Sequence, residues 1–175
     1  EQRFRGLFDQ SPAIILLATL PDGILEEVNA TALTAFGYTR EEAVGRTSPE
    51  LGLWHDPAER ERYLAAVRTD GSVRNFEALM RRRDGTTFPV LCHGSVVTIG
   101  GRPYSLNTVL DITARKASEL ARDTSLALMR ATLESTADGI LVIGTDGHVE
   151  TYNGIFAEMW RLPPAAFVAA GLLMG

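Results

Sequence analysis

The sequence predicts an α+β fold: a five-stranded antiparallel sheet, a layer of short helices on one face, and a long helix leaving it. Three observations predict it. Strand signals come as a pair near the start and as a run of three from residue 73, with capped helical segments between them. Residues 114–135 form a long stretch without Gly or Pro. The pattern Asp-Gly, then Asn six residues on, occurs at Asp22-Gly23/Asn29 and at Asp146-Gly147/Asn153, an offset of 124 in both cases (22 to 146, 29 to 153). Ser11 and Ser135 stand at the same offset. A repeat this long is a whole domain rather than a solenoid unit. It predicts one full module and the opening of a second.

The elements follow in order. Phe4, Leu7 and Phe8 recur at helical spacing, and Ser11-Pro12 ends that first helix. Residues 13–19 and 24–28 are strands joined by the turn Pro21-Asp22-Gly23, a hairpin. Asn29 caps a helix closed by Gly37. Thr39-Arg40-Glu41-Glu42 is a capping box, and Gly45 stops its helix. Asp56-Pro57-Ala58-Glu59 opens a longer helix carrying Tyr63, Leu64 and Val67 and ending near Gly71. Residues 74–83, 87–99 and 102–110 are strands, with turns at Asp84-Gly85 and Gly100-Gly101. The helix over 114–135 has Ala117, Leu120, Thr124, Leu128 and Ala131 at three- and four-residue steps, a weak coiled-coil seam. The second unit repeats the beginning: strands over 139–143 and 148–152, a helix over 153–160, and another opened by Pro164.

Composition narrows the function classes. The 175 residues are 45% hydrophobic and 22% charged, as in a globular chain. A net charge of −5 argues against a nucleic-acid surface. One cysteine, Cys92, allows no internal disulfide, which fits a reducing, cytoplasmic setting. No apolar run approaches the ~20 residues of a membrane span. The single basic run, Arg81-Arg82-Arg83, precedes a turn and reads as the wet end of a hairpin. The last forty or so residues are too few for a core of their own, so the chain reads as a piece of a longer protein.

Several words carry a family resemblance. They are Leu7-Phe8-Asp9-Gln10-Ser11-Pro12, Val28-Asn29, Phe36-Gly37-Tyr38, Glu41-Glu42 and Val44-Gly45-Arg46. Further on stand Trp54-His55-Asp56-Pro57, Arg82-Arg83-Asp84-Gly85-Thr86, and Asp111-Ile112-Thr113 with Arg115-Lys116. In this order and spacing they resemble the PAS domain. The resemblance implies a sensory domain over 1–113, a linker helix over 114–135, and over 136–175 the N-terminal part of a second PAS domain. It implies no catalytic activity in this stretch. It implies a pocket holding a small organic ligand, haem, flavin or nothing. The exit helix would serve an output such as a histidine kinase or a diguanylate cyclase or phosphodiesterase, and the expected partners are a second copy of the chain and that output domain.

Candidate sites follow. Blue-light flavin members carry a reactive cysteine just after the Gly-Arg word. Here Gly45-Arg46 is followed by Thr47-Ser48, and Ser48 cannot form the adduct. His55 precedes a helix cap and has no second ligand near it, so it reads as structural rather than as a haem ligand. Cys92 reads as a small buried hydrophobe, and its neighbour His93 points to the opposite face. No metal site is expected. The expected ligand pocket is lined by Phe36, Trp54, Leu64, Val67, Phe76, Ala78, Met80, Val90, Cys92, Leu106, Asn107 and Thr108, with Asn107 and Thr108 to orient a ligand. A filled core is the alternative. Asp111, Ile112 and Thr113 form the expected signal relay, and Phe4, Leu7 and Phe8 the expected dimer interface.

Overall fold

The computed structural model describes residues 2–161, with side chains described from Gly6 onward. The chain divides into two compact units, with the boundary between Lys116 and Ala117.

In the first unit the sheet order is β2-β1-β5-β4-β3, with every neighbour antiparallel. The strands are β1 (Ile14–Thr19), β2 (Leu25–Val28), β3 (Ser72–Arg81), β4 (Thr87–Ile99) and β5 (Arg102–Asp111). The last strand thus lies at the centre, beside the first. Around the sheet are α1 (Gln2–Gln10), α2 (Ala30–Phe36), α3 (Arg40–Ala43) and α4 (Pro57–Asp70). Each helix start follows a local signal. Asn29 Oδ1 accepts from Ala32 N, Thr39 and Glu42 form a reciprocal capping box, and Asp56 Oδ1 accepts from Ala58 N. Gly37 and Gly71 close α2 and α4 in the left-handed region, at φ 78° and 73°.

Alternation puts one face of the sheet in the core. Phe88, Val90 and Cys92 of β4 are buried with Ala78 and Met80 of β3 and with Leu16 of β1. The edge strand β3 is covered: Arg81 N donates to Leu53 O, His55 N to Leu79 O, and Leu79 N to Glu59 Oε2. Its register breaks between Val73 and Phe76, where Asn75 takes φ 55°.

The arginine run is more than a wet hairpin end. Arg82 donates to Ala35 O and pairs with Asp111 at 3.5 Å, and Arg83 pairs with Glu42 at 2.8 Å. Its turn therefore ties β3 to α2 and to the end of β5.

Helix α5 (Thr113–Ser135) crosses the unit boundary and has no buried residue. Leu120 and Leu128 of the expected seam are exposed. The second unit holds β6 (Leu141–Ile143) paired antiparallel with β7 (Val149–Tyr152), then α6 (Gly154–Met159) capped by Asn153. The helix expected from Pro164 lies outside the described residues.

The hairpins correct the repeat. Leu16 pairs with Val28, and Leu141 with Tyr152, so the offset is 125 before the turn (16 to 141) and 124 after it (28 to 152). The first turn has one more residue: Leu20, Pro21 and Asp22 against Thr145 and Asp146. Both close the same way, Gly23 N donating to Thr19 O and Gly147 N to Gly144 O. Ser11 therefore corresponds to Thr136, not to Ser135.

Candidate functional site

Between α4, the β1–β2 turn and the inner face of the sheet lies a cavity of about 60 Å³. Its inner wall is apolar: Leu16, Leu25, Leu53, Trp54, Met80 and Val109. Set into that wall is a polar thread. Tyr63 Oη donates to Asn107 Oδ1 at 2.8 Å, Ser105 Oγ donates to the same oxygen at 3.0 Å, and Asn107 Nδ2 donates to Ser105 O. Tyr63 reaches this point because position 94 is glycine, opposite Asn107 on β4. A Cβ there would stand 2.3 Å from the Tyr63 oxygen and 3.0 Å from Val67 Cγ2. The tyrosine ring is fixed by Trp54 and Phe76, each with its centroid 5.4 Å away. Burial, with a smaller contribution from Cys92, pushes the Tyr63 hydroxyl well up, and burial with the charge of Glu59 pushes the Cys92 thiol up to about 12. Both are neutral at pH 7, and Cys92 is not a thiolate nucleophile.

The solvent side of the cavity carries charge. Arg60, Leu64 and Arg68 lie four residues apart on one stripe of α4, and all three line the cavity. Arg60 Nε donates to Ser48 Oγ at 3.1 Å and Nη1 to Glu61 at 2.8 Å.

The expected pocket residues divide into three groups. Trp54, Leu64, Met80, Cys92 and Asn107 line the cavity. Phe36, Val67, Phe76, Ala78 and Val90 are packed into or against the surrounding core. Leu106 and Thr108 are a correction: they stand opposite Leu17 and Ile15 of β1, on the other face of the sheet. Ser105 and Val109 take the inner positions on either side of Asn107. The phase of β5 misleads because two of its inner residues, Ser105 and Asn107, are polar and satisfied by the thread, while its outer ones include Leu106 and Leu110. Arg60, Arg68, Tyr63 and Ser105 were not expected at the site, although Arg60 and Arg68 share the α4 stripe of Leu64.

The relay residues anchor the start of α5. Asp111 Oδ1 accepts from Thr113 N at 2.9 Å and from Thr113 Oγ1 at 2.6 Å. The helix opens at Thr113 itself, and the Asp111 carboxylate reaches its first amide. Burial raises the pKa of Asp111, but the two Thr113 bonds and Arg82 together hold it below the usual carboxylate range. Ile112 is buried and its amide donates to Pro89 O, while Arg115 and Lys116 both pair with Glu77 at 2.7 Å. In α1, Leu7 is 75% exposed and Phe8 half-buried, and the side chain of Phe4 lies outside the described residues.

The PAS domain family matches residues 12–114. The chain belongs to that family. A methyl sulfide methyltransferase-associated sensor of Methanosarcina acetivorans is 29% identical over 123 residues, 70% of this chain and 12% of that protein. The sensor protein FixL of Bradyrhizobium diazoefficiens is 28% identical over 116 residues, 59% of this chain and 23% of that protein. The chain therefore spans less than a quarter of either relative. The crystal structure of the PAS domain of an HTR-like protein from Haloarcula marismortui matches with a TM-score of 0.55 at 30% identity, covering 63% of this chain and 90% of that one.

PAS domains are sensory modules. The larger cofactors suggested by the resemblance do not fit its cavity. Drug-sized ligand sites run to roughly 300–1,000 Å³, far above the 60 Å³ present. Ser48 lines the cavity where flavin chemistry would need a thiol. His55 is exposed and sits 3.2 Å from Arg81, outside the cavity lining. Among the described residues no three His, Cys, Asp or Glu side chains come together as metal ligands, and no helix is long and apolar enough to cross a membrane.

Proposed function

We propose that the chain is the sensing and dimerisation part of a longer signalling protein, with residues 114–135 as its linker helix. One observation carries the reading: Asn107 faces the cavity on the same strand whose end, Asp111, holds the first turn of α5. A ligand that rearranges the Tyr63–Asn107–Ser105 thread pulls on β5, and β5 has one route onward, through Asp111 and buried Ile112. The output is a histidine kinase or a cyclase or phosphodiesterase domain beyond the chain, in keeping with the relatives' description as sensors. Residues 136–175 open a second PAS domain: Asn153 repeats the four bonds of Asn29 to equivalent backbone groups and adds one to Thr136 Oγ1. Dimerisation uses the exposed Leu7 of α1 and the outer sheet face, which carries half-buried Leu17 and Leu106 and exposed Leu110. The chain works in the cytoplasm.

Asn107→Ala tests the coupling. Hydrogen exchange at the amides of residues 112–116 is expected to quicken relative to the parent, with the sheet amides of β3 unchanged. Unaltered exchange at 112–116 would show that the thread does not reach the helix. A second reading, a PAS domain whose core is filled and whose task is to hold protomers together, is favoured by the cavity's small volume. A native mass spectrum of freshly purified protein separates the two: a co-purifying small molecule supports sensing, and a bare mass supports the spacer.

A further inference from the structure

The chemistry of the cavity limits what can occupy it. Its volume admits about four to six water-sized groups, and its inner wall is apolar apart from the neutral thread of Tyr63, Asn107 and Ser105. The solvent side is different in kind, because two arginine residues, Arg60 and Arg68, line the cavity there. Arg60 is only 18% exposed at its side chain. Its Nε and Nη1 are held by Ser48 and Glu61, and among the described residues its Nη2 has no hydrogen-bond partner. That nitrogen lies towards the β1–β2 turn, 3.7 Å from where a Cβ on Gly23 would stand. Arg68, two turns on, also lines the cavity, with neither a hydrogen bond nor an ion pair among the described residues. The charge opposing the pair is Glu61, which is 66% exposed and contributes little as a surface partner. The two arginines thus leave a surplus of positive charge over an apolar hole, with one oriented donor already free.

We infer that the cavity is a receptor for a short-chain monocarboxylate. Its carboxylate lies between Arg60 Nη2 and the fork of Arg68, and its alkyl body enters the wall formed by Leu16, Leu25, Trp54 and Met80. The fork of arginine matches a planar carboxylate. A fully hydrated anion such as phosphate would gain nothing from the apolar wall, and a neutral molecule would leave the guanidinium groups as they are. The inference rests on the sensing reading above, but it fails separately from it.

The test uses the whole 175-residue chain. Thermal melts and titration calorimetry are run with butyrate, with butyramide as the neutral match in shape, and with inorganic phosphate, all at fixed ionic strength. Butyrate is expected to raise the melting temperature saturably, with butyramide and phosphate at least tenfold weaker. Arg60→Gln and Arg68→Gln are each expected to weaken butyrate about tenfold, the scale of one charge-assisted hydrogen bond. Arg62→Gln, on the exposed side of α4 and paired with Glu59, changes the net charge equally and is expected to leave the affinity unchanged. Equal binding of butyrate and butyramide would overturn the anion receptor and leave a small-molecule pocket standing. No saturable butyrate response in the parent chain, or equal loss in all three variants, would overturn the inference. The exchange experiment on Asn107→Ala stands or falls independently.

Discussion

Asn29 and Asn153 occupy equivalent places in two very different surroundings. Each is fully buried, and each caps the helix that follows its hairpin. Asn29 accepts from Ile15 N and Ala32 N and donates to Phe8 O and Ala13 O. Asn153 accepts from Ile140 N and Phe156 N and donates to Leu133 O, Asp138 O and Thr136 Oγ1. Around Asn29 stand Val28, Ala32, Phe36 and a five-stranded sheet. From residue 117 onward, among the described residues, Asn153 is the only buried side chain. The polar knot is therefore a local structure, closed within some twenty residues of chain. The apolar core is not local, since it depends on strands that arrive fifty to a hundred residues later. Where those strands are present the knot is one part of a cooperative whole. Among the described residues of the second unit it is nearly all there is.

The largest expected effect comes from Asn29→Ala. It removes a cap and leaves up to four backbone groups without their partner, a loss of about 3 kcal/mol or more. Denaturant unfolding of the chain measures it, and a loss under about 1 kcal/mol would mean that Asn29 is only a cap. Next is Gly94→Ala, which tests the core rather than the knot. The added methyl displaces Tyr63 and breaks its bond to Asn107, at about 2 kcal/mol. The same melt checks it, and the double variant Gly94→Ala, Tyr63→Phe is expected to recover part of the loss by removing the clashing oxygen. If Gly94→Ala melts with the parent, the close approach is wrong.

The same contrast explains what the sequence made legible. The knots, caps and turns are short-range, so Asn29, Thr39, Asp56, Gly37 and the Asp-Gly turns could be read residue by residue. The inward faces of β3 and β4 followed from period-two alternation, whereas the strand order did not. The phase of β5 did not either, because hydrophobic-in, polar-out is reversed over Ser105, Leu106 and Asn107, although Val109 turns inward. Ser105 and Asn107 turn inward, where Tyr63 bonds Asn107 across 44 residues of sequence and Ser105 bonds the same oxygen, and Leu106 and Leu110 turn outward. Arg60 and Arg68 were passed over because charges on a helix normally mark its wet face. Their spacing of four from Leu64 was the available signal. The turn of the second hairpin is one residue shorter, and a fixed offset cannot show that.

A smaller effect separates a cap from a knot. Asp56 accepts one amide, that of Ala58, at an exposed helix start. Asp56→Ala is expected to cost about 1 kcal/mol, roughly a third of the Asn29 variant. Equal losses in the two melts would mean that the extra bonds of Asn29 contribute nothing beyond capping.

The smallest effect on the main transition is expected from Asn153→Ala, and it decides whether the comparison is right. The bonds lost match those of Asn29 in kind and exceed them in number. A sum over contacts would predict equal destabilisation. Cooperativity predicts otherwise, because a contact lowers the global stability only if it is lost in the global transition. With two short strands, one short helix beside the exposed α5 and no other buried side chain among its described residues, the second unit opens on its own. Asn153→Ala should leave the melt of the first unit within error of the parent while amide protection at Ile140 and Phe156 disappears. Should the main transition instead fall by as much as in Asn29→Ala, the two units unfold as one.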